Sequence, residues 1–453
     1  MSEQELPGYS GQARDILLKG HAQIGDRIRL KLGRVSGEEV VEGLLIPRFE
    51  TDVGDYVVVK LKTGYNVGVR VDSSTKVEIL GKGAEPHFTR PPLPSRTAGL
   101  PNVSIISTGG TIASKVDYRT GAVKSVLDAD DLYHVVPELA QAAEINAKVM
   151  MSIFSENIGP QQWSKIAQSA ADDIRDGADG VVIAHGTDTM GYTAAALSFA
   201  LKDSPAPVIL VGSQRSSDRP SSDAATNLLA STMIAGHAPF AEVVVVMHDW
   251  ISDERIAAHR GTRVRKCHTS RRDAFRSVNT TPIAYYNIQD RSIRVTTQDY
   301  KERRKRDDWT VAAHFDPNVL LIKFHPGISS GIIDWAKATG YKGIVLEGSG
   351  LGHVGEALYT SLERAIADNM VVGMCSQCIW GRVHMNVYST GRDLQKIGII
   401  PLGDMLSETA LVKMMWAFGQ EEDPEKVKKL MVTNVAREFS DRRGIEEESK
   451  IEH

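Results

Sequence analysis

Thr108-Gly109-Gly110-Thr111-Ile112-Ala113, directly after the apolar run Val103 to Ile106, and His185-Gly186-Thr187-Asp188-Thr189-Met190, directly after a second run, Val181 to Ala184, decide how this 453-residue chain folds. A short apolar run that gives way to glycine and a hydroxyl residue is the pattern of a strand leaving a parallel α/β sheet. Ligands bind such sheets in the crevice beyond the strand carboxyl ends, so the two segments predict two threonines, Thr111 and Thr187, facing one site. Gly109-Gly110 lets the backbone bend sharply and come close to a ligand. A threonine hydroxyl is a poor nucleophile until a base takes its proton. The residues placed to assist are Asp188, beside Thr187, and Lys266 in Val264-Arg265-Lys266-Cys267-His268-Thr269, beyond the strand-like Val243 to His248. Each piece alone also has a structural reading: a tight turn for the first, a helix cap for the second, a solvated basic face for the lysine.

With all three present, the chain resembles the L-asparaginase (type I and II) family, whose motifs read TGGTI and HGTDT and whose third element is this lysine. The resemblance runs from about Val103 to Gly419. It implies Thr111 as the attacking nucleophile, with Thr187, Asp188 and Lys266 as the second threonine, carboxylate and lysine of a catalytic relay. Tyr118, in Asp117-Tyr118-Arg119-Thr120-Gly121-Ala122-Val123, corresponds to the tyrosine of a mobile lid. Ser155, in Ile153-Phe154-Ser155-Glu156-Asn157, corresponds to the serine that holds the substrate's amino-acid end, and Glu156 stands where the secreted bacterial enzymes usually carry glutamine. The implied chemistry is attack on a side-chain amide carbonyl, loss of ammonia and hydrolysis of an acyl-enzyme, with backbone N–H groups near Gly110 and Thr187 as oxyanion donors. A lysine at its ordinary pKa of about 10.4 is protonated and no base, so that role requires desolvation. Asp188 favours the charged form and suits the substrate's ammonium.

A net charge of −4 and 42% hydrophobic residues fit an intracellular enzyme of two or three domains. No apolar span approaches membrane length, and Met1-Ser2-Glu3-Gln4-Glu5 has neither the basic nor the apolar part of a signal peptide, so a cytoplasmic location is expected. Three cysteines cannot all pair. Cys375-Ser376-Gln377-Cys378 has redox or zinc-knuckle spacing but no second pair to complete a site, so both cysteines are read as buried and structural, and no metal is expected.

Short strands at Ile28 to Leu32, Val40 to Ile46, Tyr56 to Lys62 and Val67 to Val71 predict a small all-β barrel over residues 1–85. Pro86, Pro91, Pro92, Pro94 and Pro101 mark a stiff linker over 86–102. Strands beginning at Val103, Met150, Val181, Val208 and Val243 alternate with helical patterns at Gln162 to Ile174 and Asp223 to Ala235, which predicts a parallel α/β domain over 103–298 that carries the site. A charged stretch over 299–315 precedes a smaller α/β domain over 316–453, with strands near Val319, Gly343 and Val371 and a last helix opened by Asp423-Pro424. The expected fold is thus a two-domain α/β core with parallel sheets behind a small β-barrel.

An ordinary asparaginase needs no barrel on its front. With it, Gly212 to Pro220, Trp380-Gly381-Arg382-Val383 and Gly403-Asp404-Met405, the chain resembles the D subunits of archaeal glutamyl-tRNA(Gln) amidotransferases. The resemblance implies the amidohydrolase component of an ATP-dependent carbon–nitrogen ligase that converts Glu-tRNA(Gln) to Gln-tRNA(Gln). This chain would hydrolyse glutamine or asparagine and pass ammonia to a kinase and transamidase partner, the E subunit. It implies no cofactor here, with ATP and Mg2+ at the partner, and a homodimer core within a heterotetramer. The chain has no G-x-x-x-x-G-K-[ST] phosphate loop. Arg260, Arg263, Arg265, Lys266, Arg271, Arg272 and Arg276, and the run Lys301 to Arg306, are read as solvated faces, with tRNA held mainly by the partner. Two alternatives stay open: a free-standing cytoplasmic L-asparaginase whose barrel stabilises an oligomer, and a binding module with an inactive amidase site. The intact Thr111, Thr187, Asp188 and Lys266 argue against the second.

Overall fold

In a computed structural model of the chain, the structure describes residues 6, 8–34, 37–48, 55–61, 66–82, 99–109, 114–116, 123–125, 130, 132–133, 136–215 and 222–441. Gly110, Thr111 and Tyr118 lie outside the described residues, as do the Thr63 to Tyr65 turn and the prolines from Pro86 to Pro94. The chain divides into two compact units. One comprises Met1–Leu93, Ala113–Val126 and Arg215–Ser222; the other comprises Pro94–Ile112, Leu127–Gln214 and Asp223–His453.

In the front unit Val57 and Val59 are buried while Tyr56, Val58 and Lys60 are half-buried, the period of two that a one-faced sheet requires. Strands β1 (Asp26–Arg34), β2 (Gly37–Leu45), β3 (Tyr56–Lys60), β4 (Asn66–Arg70) and β5 (Lys76–Lys82) form an antiparallel sheet in the order β4-β3-β2-β1-β5. Its inner face, with Ile28, Leu30, Leu45 and Val57, packs with Ala13, Ile16 and Leu17 of a helix, Gly11–Lys19, that the strand pattern did not announce. Two short strands, β7 (Ser114–Val116) and β8 (Val123–Ser125), pair as a hairpin.

The second unit is built on strands buried on both faces, which is why they read as unbroken apolar runs. Strands β9 (Glu144–Val149), β6 (Asn102–Ser107), β10 (Gly180–Ala184), β11 (Val208–Val211) and β12 (Val243–His248) lie side by side and parallel. The strand expected from Met150 ends before it. Edge strand β9 alternates exposed and half-buried residues instead of forming an apolar run, so its start was misplaced. Beyond β12 the sheet continues antiparallel through β13 (Arg255–Arg260), β16 (Ala284–Asn287) and β17 (Ile293–Val295), and β14 (Val264–Lys266) pairs with β15 (Phe275–Ser277) apart from it. The helix Pro160–Arg175 turns Trp163, Ile166, Ala167, Ala170 and Ile174 inward at helical spacing, and the helix Met190–Ala200 is apolar all round and buried.

A second parallel sheet holds β18 (Val319–Lys323), β19 (Gly343–Gly348), β20 (Val371–Ser376) and β21 (Ile400–Pro401). Its helix Ser407–Gln420 packs on the helix Met190–Ala200, where Trp416 stacks on Phe199 with ring centroids 5.6 Å apart. One apolar core therefore spans both sheets. The last helix, Pro424–Met431, starts as expected, with the Asp423 side chain accepting from the Glu425 N–H.

The Lys301 to Arg306 run is largely exposed, as is Arg271, whereas Arg260 and Arg263 are buried, so the reading as solvated faces is corrected for those two arginines. Arg260 is salt-bridged to Glu242, Arg263 to Asp404, Arg265 to Glu408, Arg272 to Asp253, and both Arg271 and Arg276 to Asp273. Arg303 donates to the carbonyls of Asp179, Ala235 and Ala238, and Arg306 pairs with Asp179. Cys375 is buried at the end of β20, but Cys378, beyond the strand, is exposed, which corrects the expectation for that residue. No helix among the described residues is long and apolar enough to cross a membrane.

Candidate active site

The parallel register sets β6 and β10 to end together, with Ser107 opposite Ala184, and Val211 of β11 ends opposite Ala184 on the other side. Thr108 N–H and Oγ1 both donate to the Ala184 carbonyl at 3.0 Å, which ties the first glycine turn to the strand that carries the second motif. Gly109 has φ +116°, and a Cβ there would lie 2.4 Å from the Ile153 carbonyl oxygen, so only glycine fits.

Lys266 ends β14, a position fixed by its pairing with Phe275 of β15. Its Nζ donates to Thr187 Oγ1 at 2.8 Å and to Asp188 Oδ1 at 2.7 Å. The lysine side chain is 14% exposed and the aspartate 74%. The ammonium is therefore shielded while the carboxylate faces solvent, where it is open to a cationic ligand group. Because Thr187 Oγ1 accepts from the ammonium, its own proton is free to point elsewhere, and the contact polarises that O–H.

Ser155 opens a single helical turn, Ser155–Asn157, and is buried. A Cβ on Gly186 would lie 2.8 Å from the Ser155 Cβ, and Thr189 Oγ1 donates to the Ser155 carbonyl at 2.5 Å. The serine thus stands beside the second motif. Glu156 is exposed on the same turn, with no described partner in the site. Of the eight expected residues, the structure brings together Thr187, Asp188, Lys266 and Ser155, sets Glu156 on the rim and leaves Gly110, Thr111 and Tyr118 outside the described residues. Among the described residues no cluster of His, Cys, Asp and Glu is arranged to hold a metal ion.

Sequence reasoning missed what supports the second motif. Trp163 Nε1 donates to Thr193 Oγ1 at 3.2 Å, Thr193 Oγ1 lies 2.9 Å from His185 Nε2, and His185 Nδ1 lies 2.6 Å from the Gly186 carbonyl. This chain suits one neutral tautomer, with Nδ1 protonated and Nε2 accepting. Burial lowers the His185 pKa to about 4, against a weaker opposing effect of the Gly186 carbonyl, and His259, likewise buried, is lowered to about 3. A histidine held neutral in the fold and free to titrate in the unfolded chain stabilises fully above its unfolded pKa, about 6.5, and that contribution is lost as pH falls toward the folded value. Thermal unfolding is therefore expected at progressively lower temperature between about pH 6.5 and pH 4, with His185 contributing on the order of 3 kcal/mol. His185→Gln should flatten this limb; an unchanged acid limb in the variant would refute the assignment.

The family model for the asparaginase N-terminal domain matches residues 102–301, that for the glutaminase/asparaginase C-terminal domain matches 318–431, and that for the GatD N-terminal domain matches 22–80. The chain is 46% identical over 451 residues to the D subunit of a glutamyl-tRNA(Gln) amidotransferase from Metallosphaera sedula, covering 99% of this chain and 100% of that one. It is 48% identical over 442 residues to the corresponding D subunit of Methanopyrus kandleri, covering 96% and 95%. Among solved structures, the thermostable L-asparaginase from Thermococcus kodakarensis superposes with TM-score 0.67 at 33% identity, covering 75% of this chain and 100% of that one. L-asparaginase I from Vibrio cholerae gives 0.65 at 28%, covering 76% and 100%. The asparaginase structures cover about three quarters of the chain, whereas the D-subunit relatives cover nearly all of it. The chain belongs to the family of glutamyl-tRNA(Gln) amidotransferase D subunits.

Proposed function

We propose that this chain is the amidohydrolase subunit of a glutamyl-tRNA(Gln) amidotransferase, releasing ammonia from glutamine or asparagine for use on Glu-tRNA(Gln). The observation that carries the reading is Lys266 Nζ held between Thr187 Oγ1 and Asp188 Oδ1 beyond the parallel strand ends. In this mechanism Thr111 Oγ1 attacks the side-chain amide carbonyl and gives up its hydroxyl proton, the C–N bond breaks, the leaving nitrogen takes up that proton and departs as ammonia, and water then hydrolyses the threonyl ester to the acid and free Thr111. Thr187, polarised by Lys266, serves the proton transfers to and from the water, while the outward carboxylate of Asp188 binds the substrate's ammonium and Ser155 its amino-acid end. Backbone N–H groups near Gly110 and Thr187 hold the oxyanion, and Tyr118 closes over the substrate.

Transamidation is assigned to a partner E subunit, which would hold ATP, Mg2+ and most of the tRNA; the arginines of the two basic runs are largely engaged within the chain and support that division. The proposal includes a homodimer core, a heterotetramer and a cytoplasmic place of action. Ammonia release from glutamine and asparagine is the test, by the chain alone and then with the E subunit and glutamate-charged tRNA. Activity that is weak alone and rises strongly in the complex is expected, with Thr111→Ala abolishing it. Fast, partner-indifferent asparagine hydrolysis would instead identify a free-standing L-asparaginase.

A further inference from the structure

We infer that a chain of polar side chains, from the exposed Asp253 inward through the buried His248 and Asn227 to the Gly212 carbonyl, holds Thr187 in reach of Lys266, with His248 as a positioning residue. The inference rests on the reading of Thr187 and Lys266 as an amidohydrolase pair, and it starts from the shape of threonine. Oγ1 and Cγ2 share one Cβ, so fixing the methyl group fixes the direction of the hydroxyl. The Thr187 methyl meets Gly212, the first residue beyond β11: a Cβ on Gly212 would lie 2.7 Å from Thr187 Cγ2 and 2.9 Å from the His185 carbonyl oxygen. The Gly212 backbone is thus the wall against which Thr187 stands, and its place decides where Oγ1 points.

That wall is pinned from behind. Asn227, fully buried on the helix Ala224–His237, donates from Nδ2 to the Gly212 carbonyl and to Asp223 Oδ2, each at 3.0 Å. The Asp223 carboxylate accepts from Gln214 N–H at 3.1 Å and from Ser213 Oγ at 3.0 Å, so residues 212–214 are held at three points. Because the Gly212 carbonyl and the Asp223 carboxylate both demand donors, the Asn227 amide has one allowed orientation, with Oδ1 turned toward β12. There it meets His248 Nδ1 at 2.6 Å. His248 is fully buried, its Nε2 lies 2.9 Å from Asp253 Oδ1, and Arg272 Nη1 donates to the same oxygen at 2.8 Å. No member of the chain takes part in the Lys266 contacts, so its effect on chemistry passes through the position of Thr187 alone.

His248→Leu keeps the bulk but removes the N–H that orients Asn227. It is expected to lower kcat for amide hydrolysis about 10²-fold, since small displacements of reacting groups have effects of that order. KM should stay within about threefold, because ground-state contacts are untouched. His248→Asn places a side-chain N–H near the position of Nδ1 and should recover most of the lost kcat. Crystal structures of both variants supply a readout independent of activity: the Lys266 Nζ to Thr187 Oγ1 contact should open in the leucine variant and close again in the asparagine one. An unchanged contact with unchanged kcat overturns the inference. So does a kcat loss that asparagine fails to rescue and that follows thermal stability in both variants, which would mark His248 as structural only. Should the unaltered chain hydrolyse no amide even with its partner, the proposed function fails, and the two crystal structures still decide whether His248 positions Thr187.

Discussion

Lys266→Met is expected to lower kcat for amide hydrolysis by about 10³-fold or more while leaving the fold intact, the order of loss when a single group serving the transition state is removed. The methionine side chain is similar in length and bears no charge, so the variant isolates the ammonium. Its removal deprives Thr187 Oγ1 of the donor at 2.8 Å and leaves Asp188, 74% exposed, to water. An exposed carboxylate that loses its partner is readily hydrated, so the stability change should stay within about 1 kcal/mol. Lys266→Arg is not expected to rescue, because a planar guanidinium presents its donors in a fixed fork and cannot serve two acceptors arranged about one nitrogen. Ammonia release in the complete complex, measured beside a thermal melt, is the check. Retention of a tenth or more of wild-type kcat by Lys266→Met would remove the lysine from the mechanism.

Much of this site was legible because parallel strands are buried on both faces. Val181 to Ala184 and Val243 to His248 stand out as apolar runs, and the residues just past such a run fall at the sheet's ligand-binding edge. Where burial is one-sided the signal fades. Edge strand β9 alternates and was misplaced, and the antiparallel strands β13, β16 and β17 are short or polar enough that none was anticipated. The buried part of the arginine-rich segment misled for a different reason: some of the carboxylates that neutralise it are remote in sequence, as with Arg263 and Asp404, 141 residues apart. Local composition suggests a solvated face when the partners are supplied by tertiary structure. The supporting shell was similarly hidden. Asp223 and Asn227 have the i, i+4 spacing of a helix start, and nothing local reveals that they face Gly212 and His248 instead of solvent.

The largest loss of stability is expected from Lys413→Met. Lys413 lies on the helix Ser407–Gln420 with its side chain fully buried, paired to the equally buried carboxylate of Glu438. Its Nζ also donates to the carbonyls of Met431 at 3.0 Å and Thr433 at 2.7 Å. Burial pushes its pKa down, and Glu438 opposes that shift. Glu438 in turn accepts from the N–H groups of Val435 and Ala436, so the pair fastens the strap beyond the last helix. The strap reaches toward the active site: Thr262 Oγ1 donates to the Ala436 carbonyl and Arg263 Nε to that of Arg437, just ahead of the strand that ends in Lys266. Removing the lysine leaves a buried carboxylate without its counter-charge and two carbonyls without donors, a loss of about 3 to 5 kcal/mol. Lys413→Met combined with Glu438→Gln should recover part of it, because the amide oxygen still serves the two N–H groups while the stranded charge is gone. Denaturant unfolding followed by tryptophan fluorescence, with Trp416 on the same helix as reporter, measures both variants. A single variant within about 1 kcal/mol of wild type would overturn the prediction, since it would mean that Glu438 is not left as a stranded buried charge when the lysine is removed.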